Sequence, residues 1–131
     1  MDLLRIPRFI TDTKVYYCEL SSYDEASFLA SILNAPTVDR MLKPMQSRGS
    51  WGPRDIHKKP LELPIPQFDA ADPTHRRLAQ LGKRCSEKVK AWLAGGGAGT
   101  VASIGRLRRM ARDLLKEELA EIDALVEKIL R

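Results

Sequence analysis

Two apolar stripes of helical period, one on each side of a glycine run, constrain the fold of this 131-residue chain more than any other feature. Leu78, Leu81, Cys85, Val89 and Trp92 are spaced by three, four, four and three residues. After Gly95-Gly-Gly-Ala-Gly99 the spacing resumes with Ile104, Leu107, Ala111, Leu115, Leu119, Ile122, Val126 and Ile129. Such recurrence places the apolar side chains on one face of an α-helix, and that face must be buried against something. Asp72-Pro73 marks the first helix start, with a capping carboxylate and a proline whose missing N–H costs nothing at the first helical position. The two stripes predict an antiparallel helical hairpin over residues 71–131. Its long C-terminal helix outruns its partner, so Leu115, Leu119, Ile122, Val126 and Ile129 are expected to form a coiled-coil seam with a second copy or another subunit.

Residues 1–70 read as a small strand-and-helix lobe. Thr13-Lys-Val-Tyr-Tyr-Cys-Glu-Leu20 is rich in β-formers and reads as a strand, and Ser21 or Ser22 can cap a helix that follows. Phe28, Leu29, Ile32 and Leu33 recur at helical spacing and are expected to pack under that strand. Asn34-Ala35 must leave the α region before Pro36, which then opens a second helix with Val38, Met41 and Leu42 on its buried face. Leu61-Glu-Leu-Pro-Ile-Pro66 fits a short edge strand, since its prolines cannot donate to a ladder. The predicted class is therefore α+β: a strand-and-helix lobe followed by an antiparallel hairpin.

Charge is distributed unevenly. The chain has 22 Lys and Arg against 17 Asp and Glu, a net of +5. Counting along the sequence, residues 40–59 hold six bases and one acid, residues 74–112 ten and one, and residues 113–131 three and six. Arg76, Arg77, Lys83, Arg84, Arg106, Arg108, Arg109 and Arg112 make both arms of the hairpin basic. Like charges on facing helices repel, and their clustering points to a polyanion. Cys18 and Cys85 are too far apart in sequence for a metal-ligand spacing and read as reduced thiols of a cytoplasmic protein. The first ten residues lack a basic segment followed by a sustained apolar run, and no stretch approaches the length of a membrane span, so no membrane partner is expected.

The loop from Gln46 to Pro60 carries the strongest functional signal. Glycines and prolines give it an irregular backbone on which Gln46, Ser47, Arg48, Trp51, Arg54, His57, Lys58 and Lys59 bring cations and flat rings together, as nucleic-acid contacts require. Trp51 fits either a base contact or a core aromatic. The run Gly95–Gly99 lacks the Gly-Lys-Ser/Thr ending of a phosphate loop and reads as a linker. His57 and His75 have no neighbouring ligands at metal spacing, and Glu117-Glu118 reads as a solvated helix face. No catalytic residue and no metal ligand emerges.

Val15-Tyr16-Tyr17, the helix ending Leu33-Asn-Ala-Pro36, the loop Met45–Pro60, Leu63-Pro-Ile-Pro66 and the capped helix from Asp72 together resemble the C-terminal target-recognition region of restriction-modification DNA adenine methyltransferases. They are also similar to the recognition domains of type I specificity subunits. The resemblance implies a DNA target-recognition fragment or subunit that binds double-stranded DNA through the loop residues named above. It implies no catalysis in this chain, with S-adenosylmethionine held only by a partner methyltransferase or restriction subunit. The alternative is a helical protein-protein interaction module with an incidental basic surface.

Overall fold

The computed structural model describes residues 18–45, 62–99 and 103–131. The regular structure among the described residues includes five α-helices and a 3-10 turn: α1 (Tyr23–Leu33), α2 (Pro36–Leu42), the turn Lys43–Met45, α3 (Pro73–Ala94), α4 (Ile104–Leu114) and α5 (Lys116–Ile129). Among the described residues there is no strand, which overturns the α+β expectation.

The reason is local at residues 62–66. Pro64 and Pro66 have no N–H, and the N–H of Ile65 between them donates back to the Leu63 carbonyl at 2.8 Å, so nothing is left for a ladder. The segment instead runs as an irregular strap that buries Leu63 and packs Ile65 and Phe68 on the core. Cys18 to Leu20, the described end of the other expected strand, is likewise outside regular structure. The rest of that strand lies outside the described residues.

The helix starts follow the sequence closely. Ser22 caps α1, its Oγ accepting from the Glu25 N–H at 3.1 Å, and the Glu25 carboxylate reaches back to the N–H and Oγ of Ser21. This reciprocal arrangement satisfies donors that the first turn would otherwise leave orphaned. Asp72 caps α3 by accepting from the N–H groups of Thr74 and His75. The N-cap of α2 is Ala35, which offers no side chain, and the missing acceptor arrives from 86 residues away: Asp123 Oδ1 of α5 accepts from the Thr37 N–H at 2.7 Å.

One core draws on α1, α2, the strap, α3 and α5, but takes no buried residue from α4. Phe28, Ile32, Val38, Leu78, Leu81, Ile122 and Val126 are almost completely buried, each contributing about 1.5–3 kcal/mol relative to an exposed position. Phe28 and Ile32 pack on α3 and not under the expected strand, while Leu33 turns outward. The α1–α3 contact is close. A Cβ at Gly82 would collide with the Ser27 carbonyl, and the buried Ser31 hydroxyl lies 3.0 Å from the Leu78 carbonyl, crossing between the helices. Phe28, Phe68 and His75 complete the seam, with Phe28 ring centroids 5.2 Å from Phe68 and 4.7 Å from His75.

The expected long second helix is divided at Leu115, whose φ of −98° and ψ of 12° separate α4 from α5. The distal part does not lack an internal partner. Ile122 and Val126 are 2% and 0% exposed within this chain, so they are not available as an intermolecular seam. Pairing of Glu118 with Arg84 and Lys88, and of Glu121 with Arg77, shows that α5 runs antiparallel to α3.

Candidate nucleic-acid interface

All eight loop residues expected to contact DNA (Gln46, Ser47, Arg48, Trp51, Arg54, His57, Lys58 and Lys59) lie outside the described residues. The cations of the two hairpin arms are described, and they fall into two groups.

On α3, four of them are matched by acids of neighbouring helices. Arg77 forms a forked pair with Glu121, Nε to Oε1 at 2.6 Å and Nη2 to Oε2 at 2.9 Å. Lys83 pairs with Asp24 and stands over the Tyr23 ring, 5.1 Å from its centroid. Arg84 and Lys88 both reach Oε1 of Glu118, at 3.3 and 2.8 Å. Arg76 donates to the Ala70 carbonyl. On α2, Arg40 meets Asp123 and Glu127 of α5. The acidic C-terminal segment, with Asp24 of α1, thus meets Arg77, Lys83 and Arg84, three of the eight hairpin cations whose clustering suggested a polyanion. The signal was in the sequence, since bases flank the first stripe and acids the second, as in charge-matched helix pairs.

Glu118 is the centre of this arrangement. Its carboxyl is held below the usual glutamate range chiefly by the hydrogen bond from Lys88, against the opposing effect of burial. Its second oxygen is buried and has no hydrogen-bond partner among the described residues. The same burial pushes the Cys85 thiol up, and the Glu118 charge adds to the effect.

The second group is on α4. Ser103 caps this helix by accepting from the Arg106 N–H at 3.2 Å. Arg106, Arg108, Arg109 and Arg112 are all exposed, and none forms an ion pair among the described residues. At about 100° per residue they occupy an arc of roughly 160° opposite Leu107, Met110, Ala111 and Leu114. Those four apolar residues are only half-buried, and α4 contributes no buried residue to the core. From Arg106 to Arg112 the helix rises about 9 Å, and one DNA strand presents a phosphate about every 3.4 Å of axis. Several guanidinium–phosphate contacts can therefore form without any change in the helix.

The other sequence candidates are structural. His75 is buried, its Nδ1 accepting from the Asp69 N–H at 3.0 Å and its Nε2 3.7 Å from Asp72, so it ties the strap to the start of α3. Gly95–Gly99 is a turn in which Gly96 and Gly99 take φ values of 80° and 46°, a region that glycine enters without steric cost. Among the described residues no group of three or more His, Cys, Asp or Glu could hold a metal ion, and no helix is long and apolar enough to cross a membrane. Comparison with protein-family models, curated proteins and solved structures gives no match to this chain.

Proposed function

We propose that the protein is a non-catalytic duplex-DNA-binding module whose described contact surface is the arginine face of α4. The observation that carries this reading is the division of charge. Arg77, Lys83, Arg84 and Lys88 of α3 are engaged with carboxylates, whereas Arg106, Arg108, Arg109 and Arg112 share one exposed face, with Asp113 beside them, and form no ion pair among the described residues. Four guanidiniums so placed stand together where a polyanion can reach them. Lys58, Lys59, Arg48 and Arg54 of the central loop would add phosphate contacts, with Gln46 and Trp51 available to base edges. The role extends to target recognition beside a separate adenine methyltransferase, to which the reaction and its S-adenosylmethionine would belong. In that arrangement this chain supplies affinity and position only.

Fluorescence anisotropy of a labelled duplex, titrated across a range of salt, tests the reading. Four phosphate contacts give a slope of log K against log salt of about −3.6. Replacing the four arginines with Ala is expected to remove that slope and weaken binding to all sequences alike. Salt-independent binding, or full binding by the quadruple variant, would exclude α4 as the interface. Incubation with labelled S-adenosylmethionine and duplex DNA is expected to leave the DNA unlabelled.

A further inference from the structure

On the other side of α4 lies a half-open groove of about 650 Å³. One wall is α3, presenting Gly82, Cys85, Val89 and Leu93 at intervals of three, four and four residues. The other is the α4–α5 junction, presenting Ala111, Leu115, Leu119 and Ile122 at intervals of four, four and three. Each wall is thus about three helical turns, or roughly 16 Å, long. Small residues, Ala30 and Ser31 of α1 among them, let a backbone approach closely. Leu93 at one end is 39% exposed, and Ile104, on the continuation of the α4 stripe, is 68% exposed. The shape is the vacant position of one further helix, whose contacts at i, i+3, i+4 and i+7 would match the intervals of the walls.

The charges around the groove specify what that helix carries. Among the described residues no Asp or Glu lines it, whereas Lys90 and Arg112 do. Neither cation forms an ion pair among the described residues. Arg108 lies one turn before Arg112 on the same side of α4. A second copy of the chain does not supply a complementary helix from its described residues. Its acidic helices are α1 and α5, and their apolar faces are already buried through Phe28, Ile32, Ile122 and Val126. We infer that the groove between α3 and the α4–α5 junction docks an amphipathic helix of a partner protein, with acidic residues flanking its apolar stripe. The inference does not depend on DNA binding: Arg112 lines the groove and Arg108 stands beside it, at the edge between the two surfaces, whereas Arg106 and Arg109 fall on the far side of α4.

The test uses the full chain and two fluorescent helical peptides. Both carry the same Leu stripe at i, i+3, i+4 and i+7, one flanked by Glu and the other by Lys. Anisotropy is expected to show saturable binding of the Glu-flanked peptide with a dissociation constant in the range of about 1–100 µM, at least about tenfold tighter than the Lys-flanked one. Bound peptide should also slow alkylation of Cys85, read in a Cys18→Ser background. Lys90→Glu lies outside the proposed DNA face and is expected to abolish the preference for acidic flanks while leaving the helical circular dichroism unchanged. Ala111→Trp, which fills the groove from a half-buried position, is expected to block both peptides. Equal affinity for the two peptides, absence of saturable binding, or protection of Cys85 by self-association seen in light scattering would each overturn the inference. Loss of DNA binding in an Arg106→Ala/Arg109→Ala variant, whose two positions are not among the groove-lining residues, with peptide binding retained would separate the two surfaces.

Discussion

Helices α4 and α5 carry one continuous apolar stripe, from Ile104 to Ile129, yet they have opposite fates. The first buries no residue, while the second contributes Ile122 and Val126 to the centre of the core. Hydrophobic periodicity cannot separate them. Charge does: α5 brings Glu118 and Glu121 to the basic flank of α3 and forms pairs there, whereas α4 would bring Arg108 and Arg112 toward the same basic helix. The stripe states that each segment is a helix with a greasy side. The charges beside it decide whether that side closes on its neighbour.

The comparison predicts its largest contrast in the cost of truncating apolar side chains. Ile122→Ala should destabilise the protein by about 2–5 kcal/mol, because it leaves a cavity in a fully buried site. Leu107→Ala, on the half-covered face of α4, should cost less than about 1 kcal/mol. Urea denaturation followed by circular dichroism measures both. Equal costs would mean that α4 is as integral to the fold as α5, and the comparison would fail.

Steric tolerance should differ in the same direction, though less strongly. A Cβ at Gly82 collides with backbone at the α1–α3 crossing, where no side chain can rotate away. Gly82→Ala is therefore expected to cost about 1–3 kcal/mol by forcing the helices apart. A midpoint in urea unchanged from that of the parent chain would show that the crossing yields easily.

These residues also mark how far the sequence could be read. The cap at Asp72, the proline at the start of α2 and the buried positions Phe28, Ile32, Val38 and Leu42 were legible because capping and periodicity are local. The hairpin partners were legible in outline. Leu63-Pro-Ile-Pro66 was misread because its apolar content resembles a strand, although Pro64 and Pro66 already forbid the ladder. The break at Leu115 was not legible, since residues 113–117 contain neither Gly nor Pro and the stripe runs through without interruption. Of the candidate site, the arginines of α4 could be read as basic, but not as unpaired. That distinction required knowing which acids fold back onto α3.

Charge matching on α5 predicts a pH dependence. Because the folded-state value for Glu118 lies below the ordinary one, its ionised form favours the native state at neutral pH. That contribution is fully present above the unfolded value of about 4.3 and is lost as pH falls through the folded one. Lys88→Met removes the hydrogen bond that contributes most to the shift, leaving the Arg84 contact. It should cost on the order of 1 kcal/mol at pH 7 and flatten the fall in stability between about pH 5 and pH 3. Denaturation curves at a series of pH values would show an undiminished slope if the Glu118 pair were energetically neutral.

The smallest effect sharpens the comparison from the side of α4. Gly105 sits in its first turn with open space where a Cβ would stand, so Gly105→Ala meets no steric cost. The substitution removes backbone freedom from the unfolded chain and should stabilise this helix by about 0.5 kcal/mol. Since α4 has no buried residue to tie it to the core, that gain should remain local. Amide hydrogen exchange is expected to slow over residues 105–114 and stay unchanged in α3 and α5. The Gly82 and Gly105 substitutions would then have opposite signs for a reason seen in the packing: at one glycine two helices already touch, and at the other nothing yet does. Slower exchange throughout the protein in Gly105→Ala would instead show that α4 opens only together with the rest of the fold.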